Sequence, residues 1–365
     1  MRVQPELKRN NHLLSTADLS AQEIRNLLEL MRLLKDAHKQ GVHLPLLKDK
    51  VLAMIFEINS TRTRVSFESA MTYLGGHAEF LSMSNLQIGE GHESLRDTAE
   101  VVSRMSDAVI MRCVDHAVME EFAKYSYVPC FNGMTMDGHP TQVLADVLTM
   151  MEHLPSKPLD EMVVQYMGDN KDDEAKLVPI QREMMWMCAK LGMTYIACCP
   201  EGMEPNAADT AQFERFAAEN ASGAKLIVSH DPYEHIADVD FLVTDSFVYG
   251  MPEGPEYDER KAKLMPYQIN QALVDANPKV GVLHCLPCER DVELTSEVLD
   301  GPNSLAFEEA ENRMHAQAGI LVWFMRTDPK EEALKAYHMG KVEAFLNSCE
   351  RSVPSARYLE DHSEK

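Results

Sequence analysis

Short apolar runs that stop abruptly at polar residues recur along this chain, and helical patterns stand between them. Val51–Phe56 leads into Ser60-Thr61-Arg62-Thr63-Arg64, after which Phe67, Ala70, Met71 and Leu74 fall on one helical face. Ala108–Met111 stops at Arg112. Tyr127–Phe131 runs out into Asn132-Gly133, ahead of a helix opened by Gly138-His139-Pro140-Thr141-Gln142 and running through Glu152. Apolar runs too short for helices, alternating with amphipathic helical stretches, predict an α/β fold with parallel sheets rather than a helical bundle. In such sheets ligands collect at the carboxyl ends of the strands, which is where the polar residues stand here.

Leu154-Pro-Ser-Lys-Pro158 interrupts the pattern, and it then restarts. Strands are expected at Met162–Met167, Thr194–Cys199, Leu226–Ser229, Phe241–Thr244, Val280–Leu283 and Ser304–Phe307. They end on Gly168-Asp169, on Asp245 and on His284-Cys285-Leu286-Pro287 among others. Helices are expected over 24–37, 94–105, 179–191, 210–221, 270–276 and 308–325. Asp328-Pro329-Lys-Glu331 opens a last one, running to about Cys349. Gly250–Pro266, rich in Pro, Gly and charge, reads as a lid-like loop. The chain therefore divides into 1–153 and 154–325, two doubly wound parallel-sheet domains, followed by a C-terminal segment over 326–365.

A length of 365 residues lets each half bury its own core. The formal net charge of -23 argues against a nucleic-acid partner, which calls for a basic footprint. No apolar run is long enough for a bilayer, and the N-terminus lacks a signal-peptide core, so no membrane partner and a cytoplasmic location are expected. The eight cysteines follow no disulfide framework, and reduced thiols are expected. The 24 methionines are read as core filler.

The residues that point to chemistry are few. Ser60 to Arg64 gathers hydroxyls and guanidiniums at a helix N-terminus, whose free N–H groups and positive dipole end favour an anion. Arg adds a planar fork that fits phosphate. The bland alternative is a Ser cap with two surface arginines, and two Arg interleaved with two Thr weigh against it. Arg112 would usually be a surface ion pair, but at the end of a buried strand it aims into the crevice. His139 and Gln142 open a helix, where a ring N–H can polarise a carbonyl oxygen and an amide can hold an amide-like NH2; an incidental His is equally compatible. Cys285 and Cys288 form a Cys-x-x-Cys, which leaves a redox role open; a structural zinc site would need a second pair, and none is suitably spaced. Gly168-Asp169-Asn170 follows a strand, yet neither the dinucleotide nor the P-loop fingerprint is present.

Together these segments resemble the aspartate/ornithine carbamoyltransferase superfamily, from about Leu47 to Met325. Ser60-Thr-Arg-Thr-Arg64 is similar to its carbamoyl-phosphate loop. Gln87, Arg112 and His139-Pro-Thr-Gln142 fall where the family has further contacts to that substrate, His284-Cys-Leu-Pro287 is the ornithine-type closing motif, and Arg313 matches a late arginine. The resemblance implies the carbamoyltransferase fold, with 1–153 (joined by the C-terminal helices 326–365) binding carbamoyl phosphate and 154–325 binding the acceptor amine. It implies carbamoyl-phosphate binding by Ser60, Thr61, Arg62, Thr63, Arg64, Gln87, Arg112, His139, Gln142 and Arg313. Asp245, His284, Cys285, Leu286 and Pro287 would serve catalysis and the acceptor. No cofactor and no metal are implied. A homotrimer is, with Gln87 reaching a neighbouring subunit's site.

The acceptor side departs from the ornithine pattern. Asp245-Ser-Phe-Val-Tyr-Gly250-Met251 lacks the ornithine loop's Trp and its Ser-Met step, and Lys171–Gln181 is longer and more charged than usual. Tyr249-Gly250, Tyr267-Gln268, Phe56-Glu57, Thr149–Pro155 and the extra C-terminal helix are more similar to the putrescine branch, with Tyr249, Tyr267 and Gln268 as possible acceptor-loop residues. That branch implies carbamoyl exchange with putrescine, run as phosphorolysis in agmatine and polyamine catabolism. Ornithine or another amine, a catalytically silent phosphate-binding relative, and a redox protein are the alternatives.

Overall fold

The computed structural model describes residues 12–86, 93–171, 180–248, 250–326 and 329–348. After α1 (Ala21–Lys39), the first half runs β1 (Val51–Phe56), α2 (Thr61–Tyr73), β2 (His77–Ser82), α3 (Leu95–Met105), β3 (Ala108–Arg112), α4 (His116–Tyr125), β4 (Cys130–Asn132) and α5 (Pro140–His153). The second half runs β5 (Val163–Met167), α6 (Ile180–Leu191), β6 (Thr194–Cys198), α7 (Ala207–Glu219), β7 (Lys225–Ser229), β8 (Phe241–Thr244), α8 (Pro255–Leu264), α9 (Gln271–Ala276), β9 (Gly281–His284), the single turn α10 (Ser296–Leu299) and α11 (Ala306–Met325). Helix α12 (Pro329–Ser348) belongs to a separate unit that begins at Arg326.

Both sheets are parallel throughout, in the orders β2-β1-β3-β4 and β7-β6-β5-β8-β9. Each starts near its middle and winds outwards both ways, as expected of doubly wound domains. The winding reverses between β1 and β3 and between β5 and β8. There the connections leave in opposite directions and open a crevice at the carboxyl ends. Strands β3 and β8 are buried along their whole length, because helices cover both faces.

Helix α11 joins the halves: it packs on α1, α2 and α5 and touches β9. Its approach to α1 depends on Gly319, where a Cβ would stand 2.4 Å from Met31 Cγ. Among the described residues no helix is long and apolar enough to cross a membrane.

Four elements differ from expectation, each for a physical reason. The lid-like stretch holds α8, which has Pro255 in its first turn, acids at its start and Lys261 and Lys263 at its end. Charges that suit the dipole make this helix, but only Leu264 is buried, so no apolar periodicity announced it. Helix α4 lies outside the expected helices, although Asp115 caps it by accepting from Ala117 N at 2.8 Å; its buried face is only Met119, Phe122 and Ala123, too few apolar positions for a clear periodicity. Ser304–Phe307 is no strand: Ser304 makes one bridge to Val282, and α11 starts at Ala306. The helix expected from residue 24 begins earlier, at Ala21, because Ser20 and Glu23 box its N-terminus, after Ser15 and Asp18 have boxed a 3-10 turn.

Candidate active site

Ser60 is the N-cap of α2: its extended backbone turns the chain, and its Oγ accepts from Thr63 N at 3.2 Å. Ser60, Thr61, Arg62 and Thr63 line a cavity of about 240 Å³ at the end of a helix, where the first-turn N–H groups find no acceptor within the helix itself. Arg64 is a correction. At about 100° per residue, Arg62 and Arg64 leave opposite sides of a helix. The Arg64 side chain is 46% exposed, pairs with Glu68 at 3.0 Å and lies over Phe80.

The same cavity is lined by Arg112 from the end of β3, by His139 and Gln142 from the start of α5, and by Arg313 from α11. Arg112 Nη1 donates to Gly133 O at 3.0 Å, and Arg313 Nη2 to Thr63 Oγ1 at 3.1 Å. Arg313 also donates through Nη1 to Gln142 Oε1. Burial, then the neighbouring Arg112, lowers Arg313 to about 10, where it remains a cation. His139 is buried, and desolvation followed by Arg313, Arg112 and Arg62 holds it well below the usual imidazole range. It is therefore neutral at physiological pH. Its Nδ1 stands 3.3 Å from Thr141 Oγ1; with Nδ1 accepting there, Nε2 carries the proton. Three guanidiniums and a helix N-terminus around a neutral donor make a site for a polyanion bearing a polarisable oxygen.

The second half closes the cavity with Cys285, Leu286, Pro287 and Ser246. The turn after β9 is held by His284, which is fully buried and does not line the cavity. Its Nδ1 accepts from Leu286 N at 2.8 Å, so Nε2–H faces Glu293 Oε1 at 3.1 Å. Leu286 has φ 55 and a cis bond to Pro287, and Met134, on the opposite wall, has φ 130. Left-handed backbone costs a branched or bulky residue about 1–2 kcal/mol, and here two such residues border one cavity.

Several expected residues fall elsewhere. Asp245 is buried but does not line the cavity; it hydrogen-bonds Tyr166 and, after burial itself, is the main influence raising the Cys285 thiol. Tyr267 donates to His230 O at 2.9 Å, and Gln268 Nε2 to the carbonyls of Asp291 and Val292. Both are structural, tied by geometry that β-α loops hide in sequence. Gln87 and Tyr249 lie outside the described residues. Asn59, Met134 and Ser246 line the cavity without having been expected; they are loop residues without a chemical signature of their own.

Thiol chemistry is disfavoured. Burial pushes Cys285 well up and Cys288 to about 12, so neither is a thiolate near neutrality. His284, Cys288 and Glu293 are close enough to suggest a metal site. The hydrogen bonds at both His284 ring nitrogens leave no lone pair for a cation, so the donor set does not suit one.

Residues 11–152 match the family described as aspartate/ornithine carbamoyltransferase, carbamoyl-P binding domain, and residues 160–324 match its Asp/Orn binding domain. The ornithine carbamoyltransferase of Wolinella succinogenes is 42% identical over 316 residues, 86% of this chain and 98% of its own length. The putrescine carbamoyltransferase of Mycoplasma capricolum is 38% identical over 356 residues, 93% of this chain and 94% of its own. Among solved structures, the ornithine carbamoyltransferase from Pyrococcus furiosus aligns with a TM-score of 0.79 at 39% identity, over 86% of this chain and 96% of that one.

Proposed function

The chain belongs to the aspartate/ornithine carbamoyltransferase family, and on that premise we propose that it exchanges a carbamoyl group between carbamoyl phosphate and putrescine. Carbamoyl phosphate is a phosphate dianion attached to an activated carbonyl, and the cavity offers a counterpart to each part. Ser60, Thr61, Arg62, Thr63 and the α2 N-terminus hold the phosphate. Arg112, neutral His139 and Thr63 face the carbonyl oxygen and stabilise the charge that grows there as the amine attacks. Gln142 Oε1 and the Cys285–Leu286 carbonyls orient the carbamoyl NH2. Phosphate then leaves with a proton from the attacking amine. Positioning and charge stabilisation carry the rate.

The observation that carries the choice of putrescine is coverage. The alignments with two putrescine carbamoyltransferases extend over 356 residues, 93% of the chain, against 85–86% for the ornithine enzymes. The acceptor side supports it. Ornithine brings an α-carboxylate, and putrescine does not. Arg260 is already committed, pairing with buried Asp169 at 2.6 Å and donating to Phe247 O at 2.7 Å. Buried Asp245 adds negative charge on this side, which suits a diamine. A homotrimer, with Gln87 serving a neighbouring site, a cytoplasmic location, and phosphorolysis of carbamoylputrescine in agmatine catabolism belong to the same proposal. So do a 1–153 domain for carbamoyl phosphate, joined by 326–365, and a 154–325 domain for the amine.

Ornithine is the second reading, favoured by the 42–43% identity to several ornithine enzymes. Turnover of putrescine, ornithine, agmatine and cadaverine with carbamoyl phosphate, scored as ureido product, separates them. Putrescine is expected to have the highest kcat/KM. A higher value for ornithine overturns the acceptor assignment, and no carbamoylation of any amine overturns the enzymatic reading.

A further inference from the structure

Gln142 is held by two acids that the chemistry above does not use. Its Nε2 donates to Asp146 Oδ1 at 2.7 Å and to Glu309 Oε1 at 2.7 Å, which accounts for both amide hydrogens. The two acids also hydrogen-bond each other. Ionised carboxylates only accept, so a proton must lie between them. Glu309 Oε2 accepts from His284 N at 2.9 Å, and His284 Nδ1 accepts from Leu286 N. A continuous line therefore runs from Gln142 on α5 through Glu309 on α11 to the turn after β9, and both of its ends line the cavity.

We propose that Glu309 and Asp146 share one proton and act together as positioning residues, holding Gln142 and the Cys285–Leu286 turn in register to grip the carbamoyl group. The inference rests on the carbamoyl-transfer reading. Charge bookkeeping agrees with it: one proton leaves the pair a single negative charge, beside the single positive charge of Arg313, with all three side chains buried. Burial raises both acids, Asp146 to about 7 and Glu309 well above the carboxylate range, Glu309 also through Asp146 itself. The groups facing the pair are Gln142, Arg313, the His284 N–H and the neutral Cys285 thiol, and Arg313 alone among them is charged.

Neither acid lines the cavity; the pair acts through Gln142 and the Cys285–Leu286 turn, so its loss should split the kinetic constants. Glu309→Ala, Glu309→Gln and Asp146→Asn are compared with the wild type by titration calorimetry with carbamoyl phosphate, by kcat with the accepted amine and by melting. Glu309→Ala should lose about 10²-fold in kcat, the scale of a small misplacement of reacting groups, with carbamoyl-phosphate Kd changed by less than about 3-fold. Glu309→Gln turns a donor towards either the Gln142 or the His284 N–H and should fall similarly. Asp146→Asn keeps the single negative charge and a donor between the two side chains, since one Asn N–H stands in for the shared proton and donates to an ionised Glu309, and it should recover at least about 10-fold of the kcat lost in Glu309→Ala. Unimpaired kcat in Glu309→Ala overturns the inference. So does a joint loss of affinity, kcat and melting temperature, which marks a merely structural role, or an Asp146→Asn as impaired as Glu309→Ala. A wild type that carbamoylates no amine overturns the underlying reading instead.

Discussion

Arg313 Nη2 donates to Thr63 Oγ1 across 3.1 Å, joining residues 250 positions apart in the chain. Helix α11 thereby places a guanidinium against the first turn of α2, while its Nη1 reaches Gln142 on α5. One arginine sets the relative position of two walls of the cavity, and its Nε has no partner among the described residues.

Thr63→Val keeps the shape of the side chain and removes this hydrogen bond, together with the hydroxyl that faces the substrate. A bond to a charged donor contributes about 1.5–3 kcal/mol, so carbamoyl-phosphate affinity should fall about 10–100-fold. Calorimetric Kd measures it, and an unchanged value would show that Arg313 needs no anchor.

Arg62→Ala and Arg64→Ala should behave oppositely although the residues are neighbours. Loss of Arg62 removes a charge-assisted fork from the phosphate and should cost several kcal/mol of binding, roughly three orders of magnitude in Kd. Arg64 pairs with Glu68 in solvent, so its loss should change folding stability by less than about 1 kcal/mol and leave affinity intact. Equal effects on binding would refute the helical geometry assigned to the loop.

His139 is held neutral by burial and by three guanidiniums. Its depressed pKa means that no acid limb near 6.5 should arise from it. His139→Gln should lower kcat by about 10²–10³-fold, the usual loss for one donor to a developing oxyanion. Between pH 6 and 8 the profile should keep its wild-type shape. A wild-type limb near 6.5 that vanishes in the variant would mean the ring titrates.

Glu183 makes stability fall with pH. Burial raises its carboxyl to about 7 against an ordinary value of 4.5, although Thr16 donates to it. The folded state therefore binds the proton more tightly than the unfolded state. The contribution is fully present below about 4.5 and is lost as pH rises through about 7. At about 1.4 kcal/mol per unit, the loss is a few kcal/mol. Melting from pH 4.5 to 8 should show the decline in the wild type and a flatter curve in Glu183→Gln; parallel curves would sink the assignment.

Much of this protein was legible before its structure. Strands β1, β3 and β8 are apolar on both faces, and a parallel sheet covered on both sides is what such runs build, so the α/β class followed from local pattern. The Ser60–Arg64 site was legible because its chemistry and its cap lie within one helical turn. Helix α8 was hidden because charge, not apolar periodicity, makes it.

The sequence alone determined which side chains could hold an anion: hydroxyls, guanidiniums and a helix start are properties of neighbouring residues. Only the tertiary structure decided which of them face one cavity, turning Arg64 out and setting Arg313, expected through the family resemblance alone, against Thr63 and Gln142. It alone disclosed Glu309 and Asp146, since two distant acids look like ordinary surface carboxyls until packing removes water. Then a proton, an amide and a backbone N–H must satisfy them, because a buried charge tolerates no other company.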